Sequence, residues 1–146
     1  MLSIIQRRGV RQFIKFGIIG ISGTIIDFGV LNILAILLKQ NIYFSASTSF
    51  IFAASNNFYW NKKWTFRNIE TNKKIHTQFV QYLIVVTIGF FINLLILHIF
   101  LPYFGNLFNL DTNNVLVLNS SKIIATMVVM IWNFVGSKKL VFSEAK

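Results

Sequence analysis

Four long apolar runs, separated by short polar segments, organise the chain. The first, 16–38, follows Arg7, Arg8, Arg11 and Lys15 and is broken only by Asp27. The second, 44–60, is diluted by Ser45, Ser47, Thr48, Ser49, Ser55, Asn56 and Asn57 around Phe50-Ile51-Phe52-Ala53-Ala54. The third, 79–101, and the fourth, 115–135, are long enough to cross a bilayer core, which takes about 20 residues of helix. The first run exceeds the apolar segment of a cleavable leader, although Ser45-Ala46-Ser47 resembles a cleavage site, and it reads as a retained span. The expectation is therefore an all-α integral membrane four-helix bundle in one domain.

Charge decides the doubtful second run. Of the 14 Lys and Arg, four precede the first run, five lie in 61–78 (Lys62, Lys63, Arg67, Lys73 and Lys74) and three in the tail (Lys138, Lys139 and Lys146). With both termini and the central loop cytoplasmic, only Lys39 falls outside and only Lys122 within a span, as the positive-inside rule favours. That topology requires the second run to cross. Composition agrees: 55% hydrophobic and 12% charged residues leave too little polar surface for a soluble domain of this length. The net charge of +10 would suit nucleic acid in a soluble chain, but cations gathered at the ends of apolar runs point to lipid instead. With no cysteine and two histidines, a metal centre is disfavoured, and no nucleotide-binding loop or other cofactor motif is visible.

The chain repeats itself. Asn57-Phe58, Lys62-Lys63 and Phe66 align without a gap onto Asn133-Phe134, Lys138-Lys139 and Phe142 at an offset of 76, while Gln12-Phe13, Gly23 and Asp27 align onto Gln78-Phe79, Gly89 and Asn93 at an offset of 66. The difference of ten is assigned to a longer second outer loop, 102–114, around Pro102 and Gly105. The architecture expected is a duplicated helical hairpin whose copies point the same way.

Polar residues inside spans carry the functional signal, because an unsatisfied polar group in hydrocarbon is costly. Helical spacing places Gly20, Gly23, Thr24 and Asp27 on one face of the first helix, and Ala46, Ser49, Ala53, Asn56 and Asn57 on one face of the second. Gly89 and Asn93 mark the third, and Asn119, Lys122, Thr126, Val129 and Asn133 the fourth. Bundled together, these stripes would make a polar interior. Gly20 and Gly23 are expected to permit close helix packing. Asp27 lies roughly 18 Å along its helix from Lys15, and Lys122 roughly 24 Å from Lys138, which are similar depths. They form either a structural ion pair or a headgroup site; snorkelling of Lys122 is a third reading. Lys62, Lys63, Lys138 and Lys139 serve as topology determinants or gather phosphates. Trp60, Trp64, Phe66 and Phe142 read as interfacial anchors.

Ala46, Ser49, Phe50, Asn57-Phe58, Asn61-Lys62-Lys63-Trp64 and Phe66, with Gly20, Thr24, Asp27, Lys122 and Asn133-Phe134, resemble the signature of the GtrA-like family of small four-span membrane proteins over roughly 13–142. The resemblance implies translocation of a polyprenyl-phosphate-linked sugar across the bacterial cytoplasmic membrane for cell-surface polysaccharide or teichoic acid glycosylation, or assistance to membrane-associated glycosyltransferases. In that setting the lysine pairs would attract the phosphate, Lys122 would engage it, and Asp27, Asn57, Asn93 and Asn133 would hold the sugar. Two further classes stay open: a non-transporting glycosyltransferase anchor acting through the basic 61–78 loop, and a proton-coupled exporter with Asp27 as carrier. Enzymatic activity is disfavoured, since no nucleophile–base pair or carboxylate pair is apparent. Four thin helices enclose little volume, which leaves a homodimer open.

Overall fold

The computed structural model describes residues 2–69, 71–112 and 114–143. It contains four helices: α1 (Leu2–Asn32), α2 (Ile42–Trp60), α3 (Ile75–Phe108) and α4 (Val115–Gly136). A single wide π-type turn extends α1 over Ile33–Leu37, α2 over Asn61–Thr65 and α4 over Ser137–Val141. The all-α expectation holds. Three stretches, Arg8–Leu37, Ile75–Phe108 and Leu116–Val141, are long and apolar enough to cross a membrane. The polar second run is not among them.

Helix ends follow from local chemistry. Asn114 caps α4, its side chain accepting from the Leu116 amide at 2.9 Å, and Asn41 accepts from the Phe44 amide at 3.4 Å at the start of α2. Lys39 and Asn109 take up positive φ (50° and 52°) after α1 and α3. At Asn109 this closes a Schellman-type end, with Leu110 N donating to Gly105 O at 3.0 Å and Asn109 N to Asn106 O at 3.4 Å.

Two expected loops are shorter than the sequence suggests. Pro102 lies inside α3, which continues to Phe108, so the 102–114 loop shrinks to the segment after Phe108. Aromatic rings at helical spacing bridge the proline: Phe100 and Phe104 lie 5.9 Å apart and Phe104 and Phe108 stack at 5.5 Å. Proline removes one amide donor and crowds the preceding turn; these ring contacts on one helix face offset part of that cost. The 61–78 loop likewise starts late, because Lys62 and Lys63 belong to the helical extension Asn61–Thr65.

The chain forms two compact units, one comprising residues 1–79 with 142–146, the other 80–141. In the first, α1 packs against α2. Asn57 lies against Gly23 so closely that a Cβ at Gly23 would collide with its amide group. Phe66 stacks on Phe142 at 4.8 Å, Phe142 on Phe58 at 5.8 Å, and Phe58 meets Phe79 edge-on at 5.3 Å. Phe66 and Phe142 are therefore core residues, each 2% exposed, rather than the interfacial anchors their place beside the basic pairs suggested. The wide turn, closed by Phe66 N donating to Asn61 O at 2.8 Å, accompanies the inward position of Phe66. Trp60 and Trp64 remain exposed.

In the second unit, α3 packs against α4 in the corresponding way. A Cβ on Gly89 would lie 2.5 Å from Asn133 Oδ1, and one on Gly136 2.8 Å from Val85 Cγ1. Burial repeats with the sequence. Gln12, Phe16, Ile19 and Gly23 are buried, as are Gln78, Tyr82, Val85 and Gly89 at the offset of 66. Ser45, Ser49, Asn61, Thr65 and Phe66 are buried, as are Ser121, Ala125, Ser137, Val141 and Phe142 at the offset of 76. The hydroxyls of Ser45 and Ser121 even donate to the equivalent carbonyls, Asn41 O at 2.9 Å and Val117 O at 2.8 Å. Such back-bonding leaves a buried serine satisfied within its own helix.

Candidate functional site

The polar groups within the apolar helices divide between the two units. In the first, Asn56 Nδ2 donates to Ser22 Oγ at 3.3 Å, and the Ser22 hydroxyl donates to Ile19 O at 2.7 Å. Asn56 Nδ2 also reaches Asn57 Oδ1 at 3.4 Å. One turn beyond Gly23 on α1, Asp27 has a buried Oδ1 with no hydrogen-bond partner among the described residues. Helical geometry puts Asp27 on the same face as Gly23, which α2 approaches through Asn57.

In the second unit, Lys122 Nζ donates to Asn93 Oδ1 at 3.2 Å. Asn133, on the same helix as Lys122, has a buried Oδ1 beside Gly89 without a partner among the described residues. Each unit therefore presents one asparagine packed on a glycine and, among the described residues, two buried oxygens left unsatisfied: Gln12 Oε1 and Asp27 Oδ1 in the first, Asn133 Oδ1 and Ser137 Oγ in the second. Most buried polar atoms find partners, so these orphan acceptors are the places in the apolar helices that call for a donor.

The stripe expected on α4 is displaced by about one residue. Val117, Ser121 and Ala125 are buried, each at 0% exposure, whereas Asn119, Lys122 and Thr126 are exposed. Ser121 and Ala125 are small enough to line a close seam, and Lys122 stands about 100° around the helix from it. On α2, Ser49 and Ala53 are buried as expected, but Ser45 takes the buried place assigned to Ala46. Of the two α1 glycines expected to pack closely, Gly23 makes a close approach, whereas at Gly20 a Cβ would meet open space, and Thr24 is exposed and bonds back to Gly20 O at 3.2 Å.

Three of the four basic-pair lysines have defined partners. Lys62 Nζ donates to Gln78 Oε1 at 2.8 Å, and Gln78 is fully buried. Lys63 lies over the Tyr59 ring at 4.8 Å and Lys138 over Phe134 at 5.9 Å. Lys139 is exposed.

Helix length, apolarity and the duplicated Gly–Asn contacts describe a membrane domain built twice from one hairpin, and the family model of the GtrA/DPMS transmembrane domain matches residues 15–142. The chain belongs to the GtrA/DPMS transmembrane-domain family. No curated protein matches it. As a member of that family it is a membrane protein with transmembrane helices, in keeping with the three long apolar helices.

Sequence reasoning missed one group of residues. Arg8, Arg11, Gln12, Lys15, Trp64, Thr65, Arg67 and Asn68 line a cleft of about 560 Å³ in the first unit. The arginines are visible in the sequence as topology signals, and Gln12 as a repeat match. That they surround one space follows from the packing of α1 against the Asn61–Thr65 turn.

Proposed function

We propose that the protein translocates a polyprenyl-phosphate-linked sugar across the cytoplasmic membrane of a bacterium, supplying cell-surface polysaccharide or teichoic acid glycosylation. The observation that carries this reading is the buried, unpartnered Asp27 Oδ1 within a stretch apolar enough to span the bilayer. A carboxylate oxygen held there without a donor is costly, and the hydroxyls of a sugar would satisfy it. Asn133 Oδ1 offers a second acceptor of the same kind. In the first unit Asn57 adds an amide; in the second Asn93 adds another and the exposed Lys122 a cation for the phosphate, while the prenyl tail stays in lipid. Lys63 and Lys139, with Lys62 and Lys138, gather the phosphate at the inner leaflet, and both termini face the cytoplasm. Nothing in this arrangement breaks a covalent bond: the acceptors and the cation bind and release the headgroup, and consumption of the delivered sugar lipid supplies the direction.

A second reading, recruitment of a glycosyltransferase without transport, is favoured by the exposed Arg67 and Lys74 on the connection between α2 and α3. Reconstitution separates the two. Liposomes containing the protein and a prenyl-phosphoryl hexose should show accelerated translocation that falls at least tenfold in Asp27→Asn and Lys122→Ala. Unchanged translocation in both variants removes these residues from the mechanism, and absence of translocation by the unaltered protein favours the recruiting role.

A further inference from the structure

The cleft between the amino-terminal part of α1 and the segment after α2 has a chemistry of its own. Arg8, Arg11, Lys15 and Arg67 converge on it, and no carboxylate among the described residues lines it. The Lys15 ammonium lies 5.0 Å from the centroid of the Trp64 indole and donates to Trp64 O at 3.5 Å, which fixes one wall. Arg67 Nε donates to Asn68 Oδ1 at 3.4 Å, and its other guanidinium donors bond to none of the described residues. Arginine does not relieve mutual repulsion by losing its proton, so four cations around one open space favour an anion among them.

A second feature narrows the choice of anion. Gln12 lines the same cleft and is 7% exposed, yet its Oε1 is buried with no hydrogen-bond partner among the described residues. The phosphate of a phosphodiester carries no O–H at neutral pH, so it suits guanidinium but by itself leaves an amide oxygen unsatisfied. A hydroxyl donor beside the phosphate would satisfy it. Arg8 and Arg11 also precede residue 15, where the family match begins.

We propose that this cleft binds a hydroxyl-bearing phosphodiester headgroup, with its phosphate held by Arg8, Arg11, Arg67 and Lys15 and a hydroxyl donating to Gln12 Oε1. Two sources share that chemistry: a glycerol-type phospholipid headgroup and a prenyl-phosphoryl sugar. The site uses none of the residues assigned to translocation and stands if that assignment fails.

The test is calorimetric titration of the full chain in neutral detergent with four soluble probes: dihexanoyl phosphatidylglycerol, dihexanoyl phosphatidylmethanol, dihexanoyl phosphatidylcholine and citronellyl-phosphoryl glucose. Saturable binding of phosphatidylglycerol or the glucose lipid is expected, at least tenfold tighter than either hydroxyl-free probe; the tighter of the two identifies the source. The double variant R11Q/R67Q should lose at least tenfold in affinity. Both positions are exposed, so unchanged helicity by circular dichroism serves as the folding control. Gln12→Met should reduce the affinity for the hydroxyl-bearing probe to that for phosphatidylmethanol. Should Gln12→Met misfold, the near-isosteric Gln12→Glu places a carboxylate among the cations and should abolish anion binding. Failure of both hydroxyl-bearing probes to saturate, or wild-type affinity in R11Q/R67Q, overturns the proposal, and an undiminished hydroxyl preference in Gln12→Met overturns the ligand class.

Discussion

The indole Nε1–H of Trp132 donates to the carbonyl of Val85 at 3.0 Å. Its repeat counterpart reaches the same backbone position by a different route. Asn56 occupies the place of Trp132 and Ile19 that of Val85, and the hydroxyl of Ser22 stands between them, accepting from Asn56 and donating to Ile19 O. One copy uses a long side chain, the other a two-step relay, to bring a donor from the second helix of the hairpin to the same carbonyl of the first. Duplication preserved the backbone need and exchanged the side chains that meet it.

Trp132→Phe should therefore weaken the second unit by about 1 kcal/mol, the net worth of one such bond plus part of the cost of an exposed carbonyl. Ser22→Ala should weaken the first unit by a similar amount by breaking the relay. The two effects should add, because each serves a different carbonyl. Reversible unfolding in mixed micelles, followed by circular dichroism, measures all three.

Glycines on one face of α1 should respond with opposite sign. Gly23→Ala drives a methyl into the Asn57 amide and should cost about 1–3 kcal/mol, the range for overpacking a tight seam, with Gly89→Ala behaving alike against Asn133. Gly20→Ala meets open space and should be neutral or stabilising by up to about 1 kcal/mol through helix propensity. Gly23→Ala combined with Asn57→Ala should recover part of the loss. The same unfolding assay separates these outcomes.

Adjacent lysines should also differ. Lys62→Met removes the donor to Gln78 Oε1, leaving a buried acceptor, and should cost about 1–3 kcal/mol. Lys63→Met loses an exposed contact with the Tyr59 ring and should cost about 0.5–1 kcal/mol. Equal effects at the two positions would contradict the assignment of Lys62 as a buried-face donor.

The aromatic residues after α2 offer a fourth contrast. Phe66→Ala empties a buried site between Phe16 and Phe142 and should cost about 3–5 kcal/mol, the range for deleting a core phenylalanine. Trp60→Ala removes an exposed ring and should leave the unfolding midpoint nearly unchanged. Thermal unfolding in detergent is sufficient to distinguish them.

The candidate residues could be picked out before any coordinates as polar positions within apolar runs. Asp27, Asn57, Asn93, Lys122 and Asn133 stand out because polar side chains are expensive in apolar helices, and the repeat offsets match Gly23 to Gly89 and Asn57 to Asn133; that each asparagine packs on the glycine of its own unit came only from the packing. What stayed hidden was the use of each exposed-looking cation. Arg8, Arg11 and Arg67 read as topology signals one by one, since charge alone does not tell a solvated arginine from one lining a cleft.

Chain order and composition determined the helices, their duplication and the clustering of cations at their ends, because helical periodicity, hydropathy and repeat spacing are local or linear properties. Tertiary packing decided which of two adjacent faces each helix buries. On α4, the line through Val117, Ser121 and Ala125 and the line through Asn119, Lys122 and Thr126 both hold small or polar residues, so periodicity leaves either one eligible. Burial on the folded chain selected the first. The inward position of Phe66 and Phe142 follows the same rule: a wide turn and a neighbouring ring, rather than sequence position, turned two expected surface anchors into core.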